Sequence, residues 1–172
     1  MKATSLQDIS SEDRSKIADF LDSHPIGVLA TVDGAGDPDA STIYFSTNDD
    51  LVITFTTKRD TKKHQNIQNK GKVMLVVYDA ENQSAVEVSG YAKEETDPET
   101  AQAIYRGTLQ AAEQTGEDNV PPIAKISAGP YIAYSITPSI VSMSEYGWGD
   151  NFKNAMDYAG DPSKDSGTKD PA

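Results

Sequence analysis

The feature that most constrains this chain is a succession of short β-type runs separated by tight, polar turns. Ile26–Val32 (IGVLATV) is almost wholly apolar and predicts a strand buried on both faces. DGAGDP, Asp33 to Pro38, is a turn cluster. Ala40–Ser46 and Leu51–Thr57 are rich in β-branched and aromatic residues and are joined by the polar turn Thr47–Asp50. Val73–Tyr78 and Val86–Ala92 follow, bridged by AENQ, and Tyr131–Ile136 and Ile140–Met143 read as closing strands. Roughly seven strands with such short connections predict a mainly β chain with flanking helices, closed as an antiparallel barrel rather than laid out as a βαβ sheet.

Two helices are well signalled. Ser10 or Ser11 caps the first, Glu12 and Asp13 suit its positive end, Ile17, Phe20 and Leu21 form its apolar face, and His24–Pro25 ends it. Asp97–Pro98–Glu99 opens the second, with Ala101, Ile104, Tyr105 and Leu109 along one side and the loop TGEDNVPP after it. Between them, Lys58–Asn69 is polar and weakly helical, with Asp60 as a candidate N-cap and Ile67 as its one strongly apolar residue. From Gly160 no residue is both apolar and larger than alanine, so residues 160–172 read as a disordered tail behind a single domain over 1–159.

The side-chain inventory removes whole classes of chemistry. Fifteen Lys and Arg stand against 27 Asp and Glu, a net charge of −12 that disfavours nucleic acid and anionic membranes as partners. There is no cysteine, which removes disulfides, thiolate catalysis and cysteine-held metals and accords with a reducing compartment. His24 and His64 are the only histidines, too few for a multi-histidine metal centre, and no metal site is expected. The N-terminus has no signal-peptide core, and no stretch approaches a membrane span. The expectation is a cytoplasmic protein.

Against this acidic background, KRDTKKHQNIQNKGK (residues 58–72) holds six basic residues and one acid, a local charge of +5. A charge run is ordinarily a solvated helix face. Here, however, Thr57 ends a strand and Thr61 opens a helix whose free N–H groups and dipole favour a phosphate. Other features are weaker. Gly34-Ala35-Gly36 has Asp39 where a dinucleotide fingerprint needs a third glycine, and a strand follows it rather than a helix. Glu94–Glu95 and Asp49–Asp50 have no catalytic spacing, and His64 reads first as a solvent-facing side chain. Ser41-Thr42-Ile43-Tyr44 suits a strand along which a flat ligand can approach, and equally an ordinary strand. Trp148 suits either a stacking contact or a strand-end anchor.

The run FTTKRDTKKHQNIQNKGKVML, Phe55 to Leu75, resembles the cofactor-phosphate segment of the pyridoxamine 5′-phosphate oxidase-like, flavin-binding split-barrel family. Thr57, Thr61-Lys62-Lys63, Asn69 and Val73 match its pattern without a gap, and IGVLATVDGAGDPDASTIYF is similar to its opening hairpin. The resemblance spans residues 12 to about 145. It implies that Lys62 and Lys63, with Thr57 and Thr61, hold the phosphate of FMN. It further implies that Ser41, Thr42, Ile43 and Tyr44 line the flavin ring through their backbone with Thr56 nearby, and that the cofactor lies between the subunits of a homodimer. The chain also departs from the oxidase proper. It has neither arginine nor histidine after Arg106, Ser144 stands where the oxidase pattern has tryptophan, and Ala85 where it has a ring-contacting glutamine. A relative with a different small-molecule redox substrate is therefore expected.

The reading is an FMN-dependent oxidoreductase with no side chain marked as catalytic. Alternatives are a deazaflavin-dependent reductase on the same barrel and a flavin- or haem-binding protein without turnover, with His64 as candidate axial ligand. An OB-like nucleic-acid binder is disfavoured by the charge.

Overall fold

The computed structural model describes residues 4–5, 9–116 and 131–145. Most of the Thr115–Pro122 loop, Trp148 and the expected tail from Gly160 lie outside those residues. The elements run β1 (Thr4–Ser5), α1 (Ser11–Ser23), β2 (Ile26–Val32), β3 (Pro38–Thr47), β4 (Ile53–Lys58), α2 (Lys62–Lys70), β5 (Lys72–Asp79), β6 (Ser84–Glu95), α3 (Pro98–Gln114) and β7 (Tyr131–Glu145). Spatial order is β1-β7-β4-β3-β2-β5-β6, every pair is antiparallel, and β6 also pairs with β7. That last pairing closes β2–β7 into a six-stranded barrel, with β1 as an addition on β7.

The interior is filled by the chain itself. Leu29, Phe45, Ile53, Phe55, Leu75 and Tyr134 are essentially inaccessible, and Phe55 stacks on Tyr134 with ring centroids 5.4 Å apart. Among the described residues, a small barrel packed this way fills its interior with its own side chains.

Three expectations need correction. β2 is not buried on both faces: its burial alternates, and Ile26 and Val28 remain 38% and 45% exposed. A closed barrel has one inner wall and one outer wall, so an all-apolar strand must show half its side chains to the outside. Second, the two closing strands are one. β7 runs through Pro138 because the register slips there: Gly90 lies opposite Pro138 and Ser89 opposite Ile140, leaving Ser139 as the extra residue of a bulge. At Gly90 a Cβ would sit 2.3 Å from the Thr137 carbonyl oxygen, so the bulge needs glycine across from it. Third, the helix in the basic segment is capped by Thr61, not Asp60.

The other helix caps are those expected. Ser10 accepts from the Asp13 N–H, and Asp97 from the Thr100 N–H with Pro98 at the helix start. Among the described residues no helix is long and apolar enough to cross a membrane.

Candidate functional site

β3 and β4 pair over only three residues each, Phe45–Thr47 with Ile53–Phe55. Beyond that they part. From Tyr44 back to Pro38, β3 pairs with β2 alone, and Thr56–Lys58 of β4 pairs with β7 alone, among the described residues. In antiparallel strands successive residues turn their N–H and C=O to opposite sides. Half the backbone groups along Pro38–Tyr44 therefore face the cleft between β3 and β4 rather than another strand. Ser41, Thr42, Ile43 and Tyr44 lie on one lip of this split, and Thr56 and Thr57 on the other.

The side chains at the split carry the same signature. The Ser41 and Thr56 hydroxyls are buried with no hydrogen-bond partner. An unpaired buried hydroxyl costs about 1–3 kcal/mol, which a ligand able to bond it would recover.

The chain leaves β4 through a turn that the threonines close. The Thr61 hydroxyl donates to the Lys58 carbonyl at 2.8 Å. Its proton being committed there, the 3.0 Å contact between the Thr57 and Thr61 hydroxyls has Thr57 as donor. The Thr61 oxygen also accepts from the His64 N–H at 3.4 Å. In the first turn of α2 the N–H groups of Lys62 and Lys63 then remain without partners among the described residues, as the opening N–H groups of a helix do. α2 ends at Gly71, in the left-handed region at φ 60°, whose N–H returns to the Ile67 carbonyl.

The two adjacent lysines are not equivalent. Lys62 is exposed, whereas Lys63 is half-buried. Burial lowers the Lys63 pKa, and the charge of Asp39 opposes that only in part. A half-buried ammonium and two free N–H groups in the first turn of one helix could together hold an anion. Lys70, at the far end of the helix, and Lys72, at the start of β5, are exposed. The Thr57 and Thr61 hydroxyls hold the turn, which leaves the Lys62 and Lys63 ammonium groups and the two backbone N–H groups as the donors that could meet a phosphate.

Sequence reasoning missed what lies beneath this turn. His64 is only 7% exposed and its Nδ1 is 2.8 Å from the Tyr134 hydroxyl. It does not face solvent, because the polar helix α2 packs on β2 and β3 and turns His64, Asn66 and Ile67 inward. Asn66 donates to the Thr31 hydroxyl at 2.9 Å. Burial raises the Tyr134 pKa, with the Gln68 hydrogen bond opposing, so the phenol keeps its proton. The one signal in the sequence is the three-residue spacing of His64 and Ile67, which places both on one helix face. As candidate axial ligand, His64 offers a buried ring with one nitrogen already engaged.

The split and the start of α2 carry the donors and acceptors that a flat, phosphate-bearing cofactor such as FMN would need. An isoalloxazine ring presents donors and acceptors along its pyrimidine edge, which open backbone and orphan hydroxyls complement, and a phosphate needs the donors at α2.

A family model described as pyridoxamine 5′-phosphate oxidase matches residues 14–128. General stress protein 26 of Bacillus subtilis is 35% identical over 100 residues, covering 56% of this chain and 70% of that protein. Among solved structures, a putative pyridoxamine 5′-phosphate oxidase from Listeria innocua superposes with a TM-score of 0.59 at 21% identity, over 76% of this chain and 96% of that one. An F420 reductase superposes at 0.56 and 25% identity, over 72% and 94%. With a matched segment that begins in α1 and takes in the whole split, the chain belongs to the pyridoxamine 5′-phosphate oxidase family.

Proposed function

We propose that this chain binds FMN, with the ring along the β3–β4 split and the phosphate at the start of α2, and serves as an oxidoreductase for a small redox substrate. The observation that carries the reading is the coincidence of an open strand edge with a half-buried Lys63 at a helix N-terminus. Bound flavin would supply the electron-transfer chemistry. The chain's own part is to hold the phosphate with Lys63 and the Lys62 and Lys63 N–H groups, and to orient the ring with the backbone of Ser41–Tyr44. Asp39 is the carboxylate on the open stretch of β3, and its charge acts on the Lys63 ammonium; the reading assigns no catalytic side chain.

The working unit is a homodimer in this proposal. The barrel interior is full, and Ile26, Val28, Met74, Tyr78 and Tyr91 stand exposed on the outer wall of β2, β5 and β6. An apolar wall of that kind is what a self-complementary two-fold contact buries. Sedimentation of the purified protein at one chain mass would remove the dimer from the proposal.

A deazaflavin is the second reading, supported by the likeness to the F420 reductase and by exposed Arg59 and Lys62 around the anion turn, which suit a longer anionic tail. The absorbance spectrum of protein purified without added cofactor separates the two. Flavin bands are expected. Deazaflavin bands would favour the second reading, and a colourless protein that takes up neither cofactor would overturn both.

A further inference from the structure

Glu94, on β6, fixes the direction of every hydrogen bond in a chain that ends on the buried ring of His64. Its carboxylate can only accept, so the Gln68 atom 2.8 Å from it is the amide nitrogen. That nitrogen also lies 3.0 Å from the Tyr134 hydroxyl and gives it the second N–H. The Tyr134 oxygen therefore accepts from Gln68, and among the described residues the partner left for its own proton is His64 Nδ1 at 2.8 Å. An Nδ1 that accepts leaves the ring proton on Nε2.

His64 also lies in the first turn of α2, directly after the two N–H groups and the Lys63 ammonium that form the anion site. Its backbone N–H is bonded to the Thr61 cap while its ring is bonded to β7. Tyr134 is itself fixed by its stacking on Phe55 in the core. The anion turn is thus tied at one residue both to its own cap and to the barrel wall.

We propose that His64 is a positioning residue for the anion-binding turn, held as the Nε2–H tautomer by a hydrogen-bond relay running from Glu94 through Gln68 and Tyr134. The part concerning the anion rests on the FMN reading above; the tautomer does not. The relay makes a remote, polarity-specific claim. Glu94→Gln preserves shape but can donate as well as accept, so the Gln68 amide is free to reverse. With Gln68 reversed, the Tyr134 proton can turn to Gln68 and His64 Nδ1 can donate instead. An exchange two hydrogen bonds away then changes the proton position on a buried imidazole.

The test uses the full chain without cofactor, with long-range proton–nitrogen NMR of the imidazoles at mildly alkaline pH. The wild-type His64 ring is expected as Nε2–H, and Glu94→Gln as a mixture of tautomers. A wild-type ring protonated on Nδ1, or a Glu94→Gln ring identical to wild type, overturns the relay. In a second arm FMN and riboflavin are titrated into wild type, Tyr134→Phe and His64→Asn, whose amide oxygen can still take the Tyr134 proton. Loss of one hydrogen bond that positions the turn is expected to weaken FMN roughly fivefold in Tyr134→Phe and leave riboflavin unchanged. His64→Asn is expected to fall between Tyr134→Phe and wild type. Unaltered FMN binding by Tyr134→Phe, or equal losses for FMN and riboflavin, overturns the positioning role. Failure of the wild type to bind FMN overturns the functional reading instead, and the tautomer arm then decides the relay alone.

Discussion

β3 has two halves with different neighbours. Over Phe45–Thr47 it pairs with β4, and the apolar residues there, Phe45, Ile53 and Phe55, are sealed in the core. Over Pro38–Tyr44 its second edge meets no strand among the described residues, and the Ser41 and Thr56 hydroxyls on the two lips of the split are buried without partners. The closed half gains stability from burial and from a complete ladder. The open half buries Ile43 and keeps its ladder to β2 but gives up pairing on its other edge, in a fold whose closure otherwise removes free edges. The contrast separates the part of the barrel that holds itself together from the part to which the proposal assigns the ligand.

The largest effect is expected where the closed half is broken. Phe55→Ala removes a fully buried ring and the stacking partner of Tyr134. Such deletions cost about 3–5 kcal/mol, a large share of the roughly 5–15 kcal/mol that holds a domain. Chemical denaturation measures it. A loss below about 1 kcal/mol would mean that the core collapses around the cavity and that the closed half is not what secures the barrel.

At the open half the expected loss is in binding. Lys63→Ala should weaken FMN by about 1.5–3 kcal/mol, roughly ten- to a hundredfold or slightly more, the range of a hydrogen bond to a charged group. Riboflavin, without the phosphate, should bind as before. Lys62→Ala and Lys70→Ala should have little effect, because both side chains are exposed and Lys70 stands about 10–12 Å along the helix. Isothermal titration distinguishes the outcomes. Equal losses in Lys63→Ala and Lys70→Ala would replace the site by a diffuse field from the whole basic segment.

The same lysine predicts a pH dependence. Burial lowers its pKa in the free protein, while a bound phosphate stabilises the ammonium and raises it. Binding then takes up a proton between those two values. FMN affinity should be flat between the second ionisation of the phosphate, at about pH 6, and the free-state pKa of Lys63, and fall as pH rises through the latter by at most about tenfold per pH unit. Riboflavin binding and the Lys63→Ala variant should show no such slope. A slope retained in Lys63→Ala would assign the titration to another group.

Much of the frame was legible in the sequence because it is local. Ser10 and Asp97 announce their helices within four residues, and β2 is delimited by Pro25 and the Asp33 turn. What was not legible is set by tertiary contact. Pro138 reads as a strand break, and only the bulge opposite Gly90 lets β7 pass through it. Lys62 and Lys63 look alike in a row, yet one residue of helix rotation exposes one and half-buries the other. His64 in a polar segment reads as a surface residue until α2 is laid against β2 and β3. The split itself has no sequence signal, since Ser41–Tyr44 would read the same in a fully paired strand.

The smallest effects test whether the open half carries the cost ascribed to it. Ser41→Ala and Thr56→Val each delete a buried hydroxyl that has no partner in the free protein. Replacing an unsatisfied group with an apolar one should leave the free chain as stable as before or more so, by up to about 1 kcal/mol. If the ligand supplies the missing partner, the same exchange should weaken FMN by a comparable amount, a few-fold. Stability and affinity would then move in opposite directions, which is the reverse of an ordinary packing defect. A variant that loses stability would show that the hydroxyl already has a partner, through a bound water, and the open half would carry no such cost at that residue. A variant that gains stability yet binds FMN unchanged would place the ligand away from that lip of the split.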